Sequence, residues 1–207
     1  MFNDIIKSFS NDNIFTEDDA LFCSIINKNP FEMISLIKKG YNLNAIDFIG
    51  DSYLHIAAGM GNSESVKILI YKHIPVNIKN KQDNTPAHYA INEDKISNLN
   101  ILLNNDANID SRDKYGNTLL HYACLKNNIE IVNNLIERQA NIDAINDEGR
   151  SSLFYSILNN NYLIMKILIE NGASLKIFDN NNCDISKYLT DKDPNIIDYL
   201  KEKNFIK

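Results

Sequence analysis

The sequence predicts an all-α solenoid of about six stacked helix-turn-helix units, with short turns projecting from one edge. Three observations carry this prediction. His55, His88 and His121 stand 33 residues apart twice over, and each is followed two places on by alanine, at Ala57, Ala90 and Ala123. Across the gapless blocks 47–79, 80–112, 113–145 and 146–178, Ser52, Thr85, Thr118 and Ser151 share the sixth place, and Leu69, Leu102, Leu135 and Leu168 the twenty-third; Gly50, Gly116 and Gly149 hold the fourth place in three of them. Each block also reads as a turn followed by two apolar stripes at helical spacing.

Block 113–145 shows how such a unit forms. Asp113-Lys114-Tyr115-Gly116 is a turn, because Asp bonds its own backbone and Gly tolerates positive φ. Thr118 then caps a helix. Leu120, Ala123 and Cys124 give that helix one apolar stripe, and Asn127-Asn128 supply a left-handed residue to end it. Ile131, Val132, Leu135 and Ile136 form the buried face of a second helix, and Ala140-Asn141-Ile142-Asp143 leads into the next turn. Helices this short are marginal alone in water, so neighbouring units must bury one another's faces.

The ends are expected to differ, since a terminal unit has one face without a neighbour. Block 14–46 is predicted as an N-terminal capping unit, with Thr16-Glu17-Asp18-Asp19 as a capping box and a second helix bracketed by Asn29, Pro30 and Gly40 as N-cap, N1 and C′. Residues 1–13 are expected to be an N-terminal extension or a capping helix over the outer face, since Phe2, Ile5, Ile6 and Phe9 have helical spacing. Block 179–207 is predicted as a C-terminal cap whose last helix starts at Asp193-Pro194.

The repeated segments resemble the ankyrin repeat, with its Thr-Pro-Leu-His-x-Ala signature in a 33-residue unit; the nearest copies are Thr85-Pro86-Ala87-His88-Tyr89-Ala90 and Thr118-Leu119-Leu120-His121-Tyr122-Ala123. The fourth block departs from it, reading Ser151-Ser152-Leu153-Phe154-Tyr155-Ser156, and Asp83 stands where the second would have its turn glycine. The resemblance implies an ankyrin repeat domain over 14–207. It further implies a non-catalytic scaffold that binds a protein, as an adaptor, inhibitor or effector-like binder.

Composition narrows the function classes. With 27 acidic against 21 basic residues the net charge is −6, which argues against a phosphate-binding surface and so against nucleic acid. No apolar run approaches the roughly 18 residues of a membrane helix, and Asp4 lies where a signal peptide would be apolar. The expectation is a cytoplasmic monomer without membrane association, leaderless export being the alternative. Cys23, Cys124 and Cys183 form no CxxC pair, and an odd number fits a reducing compartment.

Several apparent chemistries have bland accounts. The three periodic histidines would lie about 8–10 Å apart on neighbouring helices, too far to share a zinc ion that needs nitrogens at about 2 Å. Each is expected instead to bond the nearby Ser or Thr hydroxyl and a backbone group at the turn. Ser52, His55 and Asp51 suggest a triad, but the pattern recurs as Thr118, His121 and Asn117, and no GxGxxG, Walker loop, HExxH or GxSxG occurs. No catalytic residue, metal ligand or cofactor is expected. Tyr89, Tyr122, Tyr155 and Tyr188 recur every 33 residues, and are expected to fill space between units with hydroxyls at the rim of the groove.

By resemblance to ankyrin binding surfaces, a partner would meet the second, third, fifth, thirteenth, fourteenth and thirty-third places of each block. Early in the chain these hold Ile46, Phe48, Ile49, Asp51 and Met60, an apolar tip of the kind that marks an interface. The middle is basic and polar: Lys79, Lys81, Gln82, Asn84, Arg112, Lys114, Tyr115, Asn117 and Lys126. Asp147, Glu148 and Arg150 follow, with Leu125, Ile145, Leu158 and Phe178 deeper or further along. The residues expected to carry binding are Ile46, Phe48, Ile49, Met60, Lys81, Arg112, Lys114, Tyr115 and Lys126: an apolar segment of the partner on the first four, an acidic stretch along the cations. A self-assembling structural protein is the rival reading, and an enzyme a more distant one.

Overall fold

The computed structural model describes residues 17–176, 178–189 and 192–206. The expected helix through Phe2, Ile5, Ile6 and Phe9 and the capping box at Thr16 lie outside them. Among the described residues the chain forms α1 (Glu17–Ile26), α2 (Pro30–Lys38), α3 (Tyr53–Gly59), α4 (Ser63–Tyr71), α5 (Pro86–Asn92), α6 (Ile96–Leu103), α7 (Leu119–Leu125), α8 (Ile129–Glu137), α9 (Ser152–Leu158), α10 (Tyr162–Glu170), a 3₁₀-helix (Ile185–Tyr188) and α11 (Pro194–Glu202). None of these helices is long and apolar enough to cross a membrane.

The helices form two layers. In the inner row α3 packs on α1 and α5, α7 on α5 and α9, and the 3₁₀-helix on α9; in the outer row α4 packs on α2 and α6, and α10 on α8 and α11. Ala57, Ala90 and Ala123 are fully buried, and a side chain that small lets neighbouring inner helices approach closely. Leu69, Leu102, Leu135 and Leu168 are fully buried on the outer helices, so each unit contributes one leucine to a continuous core.

Local chemistry sets each boundary. Ser52, Thr85 and Thr118 cap α3, α5 and α7 in boxes whose N3 residue is a histidine. In the fourth unit Phe154 replaces that histidine; Ser151 still caps α9, but its hydroxyl is buried without a partner. At the end of α8, Gln139 adopts φ 65°. The Gln139 amide donates to Ile136 O at 2.9 Å and the Ala140 amide to Leu135 O at 3.0 Å, a Schellman closure made with a residue bearing a side chain. His73 does the same after α4, at φ 63°. The inner helix of the final unit shrinks to the 3₁₀ turn, because Ile185 is the one fully buried anchor of a four-residue segment too short to continue.

Candidate interaction surface

The turns begin with an acidic or amide residue whose side-chain oxygen binds two amides ahead of it. Asp113 Oδ1 accepts from Tyr115 N and Asn117 N, both at 2.8 Å. Asp47, Asn80, Asn146 and Asp179 repeat the arrangement. Each tip is thus closed by its own first residue. Lone antiparallel bridges at Ile46 with Ser52, Arg112 with Thr118, Ile145 with Ser151 and Phe178 with Asp184 form the base of four of these fingers.

Successive fingers are also joined to one another. Backbone amides donate from Lys81 to Ile49 O at 3.1 Å, and at 2.9 Å from Lys114 to Gln82 O, Asp147 to Tyr115 O and Asn180 to Glu148 O. Side chains reinforce the row: Lys81 Nζ donates to Phe48 O at 2.7 Å, Lys79 Nζ to Arg112 O at 3.2 Å, and an Arg112 guanidinium nitrogen to Ile145 O at 2.8 Å. The tips therefore form one hydrogen-bonded edge.

On this edge Ile46, Phe48 and Ile49 are exposed, Phe48 at 70%. Lys81, Arg112 and Lys114 are exposed on the following two fingers, and Lys114 Nζ lies 4.9 Å from the centre of the exposed Tyr115 ring. Lys126 is exposed at the C-cap of α7, and Met60, at the C-cap of α3, is half-buried. A cavity of about 360 Å³ opens between two fingers, lined by Asn77, Lys79, Thr85, Asn108, Asp110, Ser111 and Arg112.

The fifth-place residues belong elsewhere than expected. Asp51 is buried, and Asn84 and Asn117 are half-buried in contact with tyrosine hydroxyls. Tyr89 OH donates to Asp51 Oδ2, and Asn80 Nδ2 donates to Asp51 Oδ1 at 2.6 Å. Tyr122 OH meets Asn84 Oδ1 at 3.1 Å and Asp113 Oδ2 at 2.9 Å, and Tyr155 OH meets Asn117 Oδ1 at 3.3 Å. These three half-buried tyrosines thus bind one unit to the next through their hydroxyls. Burial and then the neighbouring carboxylate push the Tyr89 and Tyr122 phenols well above their ordinary values, so both remain donors. The signal was present in the sequence as Asp or Asn at the fifth place of one block followed by Tyr at the tenth of the next.

The histidines are structural links. The Ser52 amide donates to His55 Nδ1 at 3.1 Å, which leaves Nε2 to carry the proton and donate to Asn84 O at 2.9 Å in the next unit. His121 bonds Thr118 and Arg150 O in the same way. His88 faces the equivalent carbonyl, Asn117 O, without a complete hydrogen bond at Nε2. Burial holds His88 and His121 neutral, with pKa lowered to about 4. Ser52 and His55 are both buried as a helix cap, so this pair offers no substrate a nucleophile. No group of three or more His, Cys, Asp or Glu side chains is placed to hold a metal ion among the described residues.

A family model described as ankyrin repeats in three copies matches residues 20–113 and 87–179. No curated protein matches the chain.

Proposed function

This chain belongs to the ankyrin repeat family, whose members are generally protein-protein interaction modules and typically non-catalytic, and from that premise we propose that it binds a partner protein along its edge of turn tips. The single observation that carries the reading is the exposed cluster of Ile46, Phe48 and Ile49 at the head of a basic row. Large apolar side chains on a turn are costly to hydrate, and a tip locked by backbone bonds loses little entropy when a partner covers it.

In this reading Ile46, Phe48, Ile49 and Met60 receive an apolar segment, while Lys81, Arg112, Lys114, Tyr115 and Lys126 receive acidic residues. The domain spans 14–207, with 14–46 and 179–207 as caps. It works as a cytoplasmic monomer, without catalysis, cofactor, membrane or nucleic acid.

Phe48→Ala combined with Ile49→Ala tests the site, since both side chains are exposed and their loss leaves the core intact. Partner recovery from native lysate is expected to fall at least about tenfold with the helical signal unchanged. Unchanged recovery of every partner would show that the site is wrong. Light scattering addresses the self-assembly rival, which a mass independent of concentration removes.

A further inference from the structure

Resting on that reading, we propose that the partner segment is an extended acidic peptide held by apolar side chains at both ends, with its second clamp at Ile145 and Phe178. The thirty-third places run Ile46, Lys79, Arg112, Ile145 and Phe178, one per finger. The apolar members are 59%, 45% and 53% exposed in chain order, so large apolar groups face solvent on both sides of a cationic centre.

The centre calls for carboxylates. Arg112 and Lys81 are bonded to backbone carbonyls, which fix their positions without neutralising them. Lys79 shares itself between Arg112 O and an exposed Asp83 at 3.5 Å, a pairing weak in water. Two cations, Lys79 and Arg112, and one carboxylate, Asp110, which already accepts from Asn141 N at 2.9 Å, line the cavity between two of these fingers, so its charge still favours an acidic side chain. Beyond it, exposed Asp147 and Glu148 end the favourable stretch for an acidic ligand.

Fixed fingers make the clamp separation a ruler. Units spaced about 8–10 Å put Ile145 roughly 24–30 Å and Phe178 roughly 32–40 Å from Ile46, which an extended chain at about 3.3 Å per residue covers in about seven to twelve residues. A helix of about 14 residues reaches only about 21 Å and cannot touch both ends.

A phage-displayed random library of peptides about 14 residues long, panned on the full chain, tests this. The expected pool carries acidic residues between two apolar residues about seven to twelve places apart, and its recovery falls about tenfold on a chain with Ile145→Ser and Phe178→Ser. Peptides cut after their acids should bind that variant and the unaltered chain alike. A pool that depends on Phe48 and Ile49 but ignores Ile145→Ser with Phe178→Ser overturns the second clamp and leaves the proposed site standing. A pool indifferent to Phe48→Ser with Ile49→Ser sinks the site itself. Absence of enrichment, or displacement of the pool by a short single-stranded oligonucleotide as readily as by an acidic peptide, overturns the peptide chemistry.

Discussion

The Tyr89 hydroxyl donates to the carboxylate of Asp51, 38 residues earlier and in the preceding hairpin. Asp51 is 1% exposed, so this bond and the one from Asn80 replace the water that would otherwise solvate a buried charge. Repetition at Tyr122 and Tyr155 makes a polar seam along the inner row, beside His–Tyr edge contacts with ring centres 5.0–5.8 Å apart.

Tyr89→Phe keeps the ring but strips one partner from a buried carboxylate. The expected cost is about 1–3 kcal/mol, read as a lower urea midpoint. Tyr71→Phe, on a largely exposed ring, serves as the control and should change stability by less than about 0.5 kcal/mol.

Acidification should loosen the stack. His88 and His121 have folded pKa values of about 4, below the ordinary 6.5, so the folded state favours their neutral forms. Their contribution is fully present above pH 6.5 and is lost as pH falls toward 4. By pH 5 the loss is on the order of 2 kcal/mol per histidine. Urea melts at pH 7 and pH 5 give the comparison, and equal midpoints would contradict the assigned neutrality.

Two turn positions should respond in opposite directions. Gln139→Gly relieves a left-handed backbone at φ 65° and should raise stability by about 1 kcal/mol. Gly116→Ala adds a Cβ at φ 77° that would lie 2.6 Å from Asp147 Oδ1 and 2.9 Å from Asp147 N. Because that amide also joins two fingers, a loss of about 2 kcal/mol or more is expected by thermal or urea unfolding.

Cys124 is fully buried, and burial pushes its thiol far up. It should resist a thiol reagent that modifies Cys23 and half-exposed Cys183 in the native protein, and react only as urea unfolds its unit. Mass spectrometry after pulse labelling reads the difference. Modification of Cys124 at the rate of Cys183 in buffer would show that this unit opens far below global unfolding.

By itself the sequence determined the hairpin stack. A capping hydroxyl three residues before a histidine, Asn or Gly where the chain must turn left-handed, and leucine at one helical place all act within a few residues, and periodicity multiplies the signal. Even the degenerate fourth unit stayed legible, because Ser151 and the apolar stripe through Leu153 and Ile157 suffice for a helix without the histidine. Tertiary structure decided which polar residues face out. Asp51, Asn84 and Asn117 have the look of surface turn residues, yet each has side-chain partners 29 or 38 positions away in the chain, where tyrosine hydroxyls and asparagine amides arrive once the units stack. The same distance rule hid the finger-to-finger bonds: backbone groups carry no residue identity, so only the assembled edge reveals that Phe48, Lys81 and Arg112 stand on one rigid row.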